Sequence, residues 1–367
     1  MKILELGKFY PPVRGGIETL LKSMCEGFIR KGAEVECVVA NDRAQTVEER
    51  INGVLVRRVR SFGTVLSTSI CPGYTRAARA SNARIWHTHF PNPLADFAIF
   101  RAPPEGRIVV TYHSDIVRQS GVMKFYGRLL EKCLDRADKI VVASPRHIEF
   151  SKWLQPRSQK CVVIPFGIDR TRFVKAQLLP SSAPQNSRRP ILLTVGRLVG
   201  YKGHRWLIEA MKNVNATLWI IGTGPLENEL RTQSAALGMS SRVHFLGNVS
   251  DEELPAYYQA CDVFVLPSIT PNEAFGLVQL EAMACGKPVI SCDLKSGVPW
   301  VNQHEVTGLV APPQDVSALG KAIQELGTDH ALAQKFGTAG LARVENEFTE
   351  ERMIDRYFAL FEELSSR

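Results

Sequence analysis

Apolar positions along the 367-residue chain fall into short runs separated by stretches of helical period. Ile3-Leu4-Glu5-Leu6-Gly7 is the first run, and Pro11-Pro12 forbids a helix directly after it. Ile17, Leu20, Leu21, Met24 and Phe28 then recur at three and four residues, the buried stripe of a helix that Gly32 closes. Residues 35–40, 54–59, 85–90, 108–113, 140–143 and 162–165 read as further strands. A second series follows: strands at 191–195, 217–221, 243–246, 263–266 and 289–292, alternating with helical stretches at 204–213, 226–237 and 252–260. Residues 179–190 (LPSSAPQNSRRP) are rich in Pro, Ser and Asn and lack an apolar period, which reads as an interdomain linker. Strands alternating with helices predict mostly parallel, doubly wound sheets. The expectation is an α/β chain of two Rossmann-like domains, 1–180 and 190–348, plus a terminal helix over 349–367. Met353, Tyr357, Phe358, Phe361 and Leu364 give that helix an aromatic face in need of a partner surface.

Composition narrows the class. With 45% hydrophobic and 22% charged residues this is a globular chain, long enough for two cores. No run approaches the ~20 apolar residues of a bilayer span, and the charged N-terminus is not a secretory signal. The eight cysteines show no C-x-x-C pair or zinc spacing. Reduced thiols in a cytoplasmic protein are expected. A net charge of +8 favours anionic partners, and the absence of any nucleic-acid module leaves nucleotides or an anionic surface.

Candidate chemistry concentrates after the strand at 263–266. Leu277, Leu280, Met283 and Ala284 share one helical face, which Gly286 and Pro288 end. Glu273 lies on the loop before that helix and Glu281 inside it. Counted as eight helical steps their separation is about 12 Å, a span suited to a nucleoside diphosphate sugar. Free N–H groups at the helix start, Phe275-Gly276-Leu277, favour phosphate. One carboxylate would hold the sugar and the other the ribose; the plain alternative is an amphipathic helix with one capping and one exposed glutamate. Gly196-Arg197-Leu198-Val199-Gly200-Tyr201-Lys202-Gly203 sets two cations five residues apart in a Gly-rich turn, as a diphosphate clamp requires.

These strings resemble the E-x7-E signature and the Gly-Arg-Leu…Lys-Gly loop of retaining glycosyltransferases of GT-B architecture. The resemblance covers nearly the whole chain. It implies two doubly wound domains facing a central cleft, with the terminal helix crossing back to the N-terminal domain. It implies a retaining, metal-independent transferase in which Arg197 and Lys202 neutralise the leaving diphosphate. Glu273 would hold the sugar, and the Phe275-Gly276-Leu277 backbone with Glu281 would bind the nucleotide. Gly15 and Gly16 would face the donor diphosphate, and His113, ending its strand, would approach the donor sugar. The absence of any Asp-x-Asp fits a metal-free site. The opening Lys8-Phe9-Tyr10-Pro11-Pro12 with Gly15-Gly16-Ile17-Glu18 is similar to bacterial polysaccharide and O-antigen transferases, so GDP-mannose is favoured over UDP-sugars as donor. The acceptor is expected to be a saccharide or lipid-linked. A nucleotide-sugar epimerase, a sugar-phosphate synthase on the same architecture, and a non-catalytic binding protein remain alternatives.

Two further patterns stand apart. His87 and His89 alternate on one strand face, but with no third ligand nearby they read as polar packing rather than a metal site. Lys124, Arg128, Lys132 and Arg136 recur every four residues and form one basic helix face. That face is either solvated or in contact with an anionic membrane, which would place the protein at the inner membrane surface.

Overall fold

The computed structural model describes residues 1–366 apart from 14, 66–67, 102–103, 116–119, 176–177 and 185–186, and of residues 120–125 the backbone alone. The chain divides into two compact units, Met1–Pro165 with Glu351–Arg367, and Phe166–Glu350.

The first unit contains β1 (Lys2–Leu6), β2 (Glu34–Ala40), β3 (Val47–Ile51), β4 (Val54–Val59), β5 (Thr64–Val65), β6 (Thr68–Ser69), β7 (Ile85–Phe90), β8 (Arg107–Tyr112), β9 (Lys139–Val142) and β10 (Cys161–Val163). Among the described residues eight of these form one sheet, ordered β10-β9-β8-β7-β1-β2-β4-β3. Every neighbouring pair is parallel except β3–β4. Parallel strands are covered on both faces, which is why β1, β2 and β7 are buried along almost their whole length. One face carries Leu4, Leu6, Trp86, Phe90, Val110 and Tyr112 into a core with Ile99, Leu130 and Leu134. The opposite face carries Ile3, Glu5, His87, His89 and Thr111, alternate positions on neighbouring strands.

Helices Gly16–Arg30 and Glu350–Ser365 contribute to the covering of that second face. Phe28 meets Phe361 at 5.3 Å between ring centroids, and Tyr357 and Phe361 lie 5.5 and 5.3 Å from the His87 ring. The helices approach closely at Gly27, where a Cβ would collide with Ile354. Lys31 pairs with Asp355 at the rim. The buried stripe of the terminal helix is Met353, Ile354, Tyr357, Leu360, Phe361 and Leu364.

The second unit contains β11 (Ile191–Val195), β12 (Thr217–Ile221), β13 (Val243–Gly247), β14 (Val263–Leu266), β15 (Val289–Cys292) and β16 (Gly308–Ala311). They form a parallel sheet ordered β13-β12-β11-β14-β15-β16. Its core joins Leu192, Leu218, Ile220, Val265 and Ile290 to Leu207, Ile208, Ile323 and Phe336 on the helices. Chain order reverses between β11 and β14, and in such sheets ligands bind at the carboxyl ends of the strands flanking that switch. In the first unit the corresponding reversal lies between β1 and β7.

Residues 166–175, on the first-domain side of the compositional boundary, pack within the second unit. Ile168 bridges Thr349, and the Gln259 amide donates to the carbonyls of Phe173 (2.9 Å) and Lys175 (2.7 Å). In the Pro/Ser-rich run the Trp219 indole of β12 donates to Ser187 Oγ at 3.2 Å. Among the described residues no helix is long and apolar enough to cross a membrane.

Candidate active site

The turns after β11, β12 and β13 are joined by backbone hydrogen bonds. Gly196 N–H donates to Ile221 O (2.9 Å), Gly222 N–H to Gly247 O (2.7 Å) and Leu198 N–H to Thr223 O (3.0 Å). On the other side of β11, Ile269 N–H donates to Tyr201 O at 2.8 Å. Gly203 adopts φ 72, and a Cβ there would strike the Pro267 carbonyl, so only glycine allows the turn to lie against the end of β14. This strapping brings Lys202 to Glu273: Nζ lies 2.6 Å from Oε2, with the side chains 13% and 10% exposed. Ser268 Oγ donates to the same oxygen at 2.8 Å. A pair so shielded is held by Coulomb attraction and an extra hydrogen bond together, and removing one partner strands the other.

Glu273 to Gly276 are not helical; the helix spans Leu277–Ala284. The spacing of the two glutamates is therefore a loop plus one helical turn, and the eight helical steps expected from sequence do not occur. Gly276, at φ 73, caps the helix without a side-chain hydrogen bond. The first N–H groups of a helix have no intrahelical partner and suit an external acceptor. The Phe275 ring lies in an aromatic cluster, edge-on to Phe166 (5.3 Å) and Phe348 (6.1 Å). Its contribution to a ligand is thus confined to backbone. Leu277 is half-buried. Glu281 accepts from the Tyr258 hydroxyl at 2.6 Å. Burial pushes its carboxyl above the ordinary range and Tyr258 pulls it back. Arg197 is solvent-exposed. Beside Lys202, burial and that lysine's charge push the His204 imidazole down to about 3, so it adds no second cation.

In the first unit, Gly15 caps and Gly16 opens the helix Gly16–Arg30, on the chain leaving the carboxyl end of β1. A Cβ on Gly15 would meet the Glu18 carboxylate, whereas the space around Gly16 is open. His113 follows β8, its amide donating to Phe90 O at 3.1 Å, and its imidazole is pushed well below its usual range by burial and the neighbouring His89. The expectation that His87 and His89 lack a third ligand nearby is corrected. Parallel register sets Glu5 of β1 beside His87 of β7, and His87 Nδ1 lies 2.9 Å from both Glu5 oxygens. His89 Nε2 lies 3.3 Å from Glu5 Oε2. The Glu5 carboxylate and the two rings could in principle hold a cation, their ligand atoms lying within 4.8 Å of one another.

Sequence reasoning missed Ser268, Tyr258 and Glu5. The one available signal was Glu5 itself, an acid inside an otherwise apolar strand run; nothing local marks Tyr258, which is 23 residues from its partner.

Residues 14–172 match the family described as Glycosyltransferase Family 4, and residues 177–343 match Glycosyl transferases group 1. The chain is also 32% identical to O-antigen chain mannosyltransferase C of Escherichia coli, with 98% of each covered. It belongs to the group 1 glycosyltransferases. D-rhamnosyltransferase WbpZ of Pseudomonas aeruginosa is 33% identical over 95% of this glycosyltransferase and 92% of its own length. The sucrose-phosphate synthase of Thermosynechococcus elongatus superposes over the full length of both chains with a TM-score of 0.81 at 24% identity, a likeness of fold. The architecture is GT-B, with two Rossmann-like domains.

Proposed function

We propose that this glycosyltransferase is retaining and metal-independent, moving a hexose from a nucleoside diphosphate sugar to a lipid-linked or saccharide acceptor in polysaccharide biosynthesis. The observation that carries the reading is the Lys202–Glu273 pair, joined across the switch between β11 and β14 and supported by Ser268. A cation and a carboxylate at one point are what a departing phosphate and a sugar that develops positive charge need. Arg197, Lys202 and the uncapped N–H groups at Phe275-Gly276-Leu277 would neutralise the diphosphate. Glu273 would hold the sugar hydroxyls, and Glu281, oriented by Tyr258, the ribose. Within the first unit, Gly15, Gly16 and His113 are the residues proposed for donor binding. In front-face displacement the leaving diphosphate oxygen takes the acceptor proton as the new glycosidic bond forms on the same face. The protein then contributes position and charge rather than a base. The similarity to a mannosyltransferase supports mannose, carried by GDP, as the first donor to test.

The basic helix face belongs to the same reading. Arg128, Lys132 and Arg136 are exposed, and the side chain of Lys124 lies outside the described residues. Lys132 and Arg136 sit 5.1 and 5.4 Å from the Phe100 ring, and Arg136 donates to the carbonyls of Ile99 (3.1 Å) and Phe100 (2.6 Å). Part of the face therefore closes the end of helix Pro93–Arg101, and the remainder would attract an anionic leaflet by about 1 kcal/mol per cation. Such a peripheral position at the inner membrane surface would set the protein beside a lipid-linked acceptor.

The test is transfer from GDP-mannose and from UDP-hexoses to a lipid-linked saccharide in EDTA, with the anomeric configuration of the product read by NMR. Transfer with retained configuration is expected. Inversion, or activity that appears only when Mg²⁺ or Mn²⁺ is restored, would overturn the reading.

A further inference from the structure

Of the seven exposed large apolar side chains among the described residues, four lie on two neighbouring elements of the first unit. Phe62, Val65 and Ile70, at 56%, 57% and 45% exposure, belong to the hairpin of β5 and β6. Its base is closed by Phe62 N–H to Ile70 O (3.0 Å) and Ile70 N–H to Gly63 O (2.9 Å). β6 packs against helix Pro93–Arg101, which carries the fourth, Phe97, at 50% exposure. That helix is apolar on both sides. Ala95, Ala98 and Ile99 enter the core, while half-buried Leu94 and Phe100 flank Phe97 three residues to either side. A helix apolar all round is ordinarily covered, and an exposed apolar cluster, unlike a single side chain, marks a contact surface.

Charge along this part of the chain has one sign. From Arg50 to Ala95 the sequence holds seven arginines and no aspartate or glutamate. Arg76 and Arg79 are exposed on helix Tyr74–Arg79, which packs against helix Pro93–Arg101, and Arg101 is exposed at the end of the latter. The acid of that helix, Asp96, is buried and does not offset them at the surface. Arg60 lies over the Phe62 ring, 4.4 Å from its centroid, an arrangement that keeps the charged head in water while the ring enters an apolar phase. A second copy of this chain would bring the same cations against these, and like charges disfavour that pairing. A bilayer with anionic headgroups offers phosphates to the arginines and hydrocarbon to the rings together.

We infer that this face docks on an anionic bilayer, Phe62, Val65, Ile70 and Phe97 entering the layer between headgroups and acyl chains while the arginines pair with lipid phosphates. The inference deepens the peripheral placement proposed above and rests on it. Arg128, Lys132 and Arg136 would draw the protein in by charge, and this patch would hold it by apolar burial. The two contributions differ in their response to salt. Charge attraction fades as the Debye length falls from ~10 Å at 0.1 M to ~3 Å at 1 M, whereas burial of apolar surface does not depend on that length.

The experiment sediments the full chain with phosphatidylcholine vesicles, with and without phosphatidylglycerol, at ~0.1 M and ~1 M salt. Backbone hydrogen exchange is followed on the same samples. The expected result is binding to the anionic vesicles, a measurable part of it surviving high salt, with new protection in the β5–β6 hairpin and in helix Pro93–Arg101. Phe62→Ser with Phe97→Ser should weaken the partition by about tenfold or more, the order expected when half of each ring stays in water, with the melting temperature unchanged. Binding abolished by salt and unmoved by the double variant overturns the inference and leaves a contact by charge alone through Arg128, Lys132 and Arg136. Protection of the same residues without lipid, in a protein that sediments as a dimer, makes the patch a self-interface and overturns it too. Binding to neither vesicle removes the peripheral placement as well, while transfer to a water-soluble saccharide still judges the transferase reading. Should the double variant not fold, the salt series and the exchange pattern of the wild type decide alone.

Discussion

The two units place their charged groups by opposite means. In the second, Lys202 and Glu273 lie on adjacent turns at the carboxyl edge of the sheet, each supplied by a short contiguous string and both largely shielded from solvent. In the first, Glu5, His87, His89 and Thr111 sit inside the sheet face, brought together by the register of three strands and closed by Tyr357 from the far end of the chain. Edge groups lie where the strands end, held by turns strapped to one another through backbone hydrogen bonds. Interior groups can only set the protonation and orientation of whatever they touch. The comparison separates charges placed by short local strings from charges placed by the pairing of distant strands.

The sharpest way to break that division is at the edge. Lys202→Ala should lower turnover by about 10²–10³, the loss for one preorganised charge stabiliser, and should also lower the melting temperature, because Glu273 is left without its cation. Steady-state rates on folded variant protein check this, and wild-type turnover would remove the clamp. A change in the interior should act mainly on stability. Phe361→Ala strips the cover from His87 and Phe28 and should cost about 3–5 kcal/mol of stability in denaturant titration.

A comparable effect sharpens the contrast within the first unit, where two buried acids are treated differently. Glu5 has two imidazole partners and is held at about 2. Asp96 is pushed up to about 7 by burial, although the Tyr126 hydroxyl donates to it. Its folded pKa lies above the unfolded value, so its contribution to stability is full below about pH 4 and is lost as pH rises through about 7. Asp96→Asn should match the wild type in acid and exceed it above pH 7 by on the order of 4 kcal/mol, about three pH units at ~1.4 kcal/mol each. A constant difference across that range in melting curves would show that Asp96 does not ionise there. Smallest is Tyr258→Phe, which frees Glu281. Donor KM should rise about fivefold, the equivalent of ~1 kcal/mol for one hydrogen bond, with kcat unchanged. A fall in kcat instead would move Glu281 from nucleotide binding to the chemical step.

How far the sequence could be read follows the same division. The parallel strands were legible because both faces are covered and the runs are continuously apolar. β3 was not: Val47–Ile51 reads VEERI, and its charges pair across the ladder, Arg57 with Glu48 and Arg58 with Glu49, both at 2.5 Å. The turn that makes it a hairpin, Asn52-Gly53 at φ 49 and 86, was the visible signal. At the edge, the strings that carry Arg197, Lys202, Glu273 and Glu281 were legible as candidates because turn glycines and helix starts mark them locally. Glu5 was not, because its role depends on which strands become neighbours, and no local pattern states that. The helix after Glu273 was placed correctly, with Gly276 at φ 73 capping Leu277–Ala284; only the separation counted as eight helical steps did not hold, because its first half is loop.

The most direct measurement is calorimetric binding of GDP and UDP in EDTA to the wild type and to Lys202→Ala. The account predicts that one of the two nucleotides binds the wild type without metal, and that Lys202→Ala weakens it at least tenfold, since the cation meets the diphosphate itself. Binding that needs a divalent ion, or equal affinity in both proteins, would contradict it.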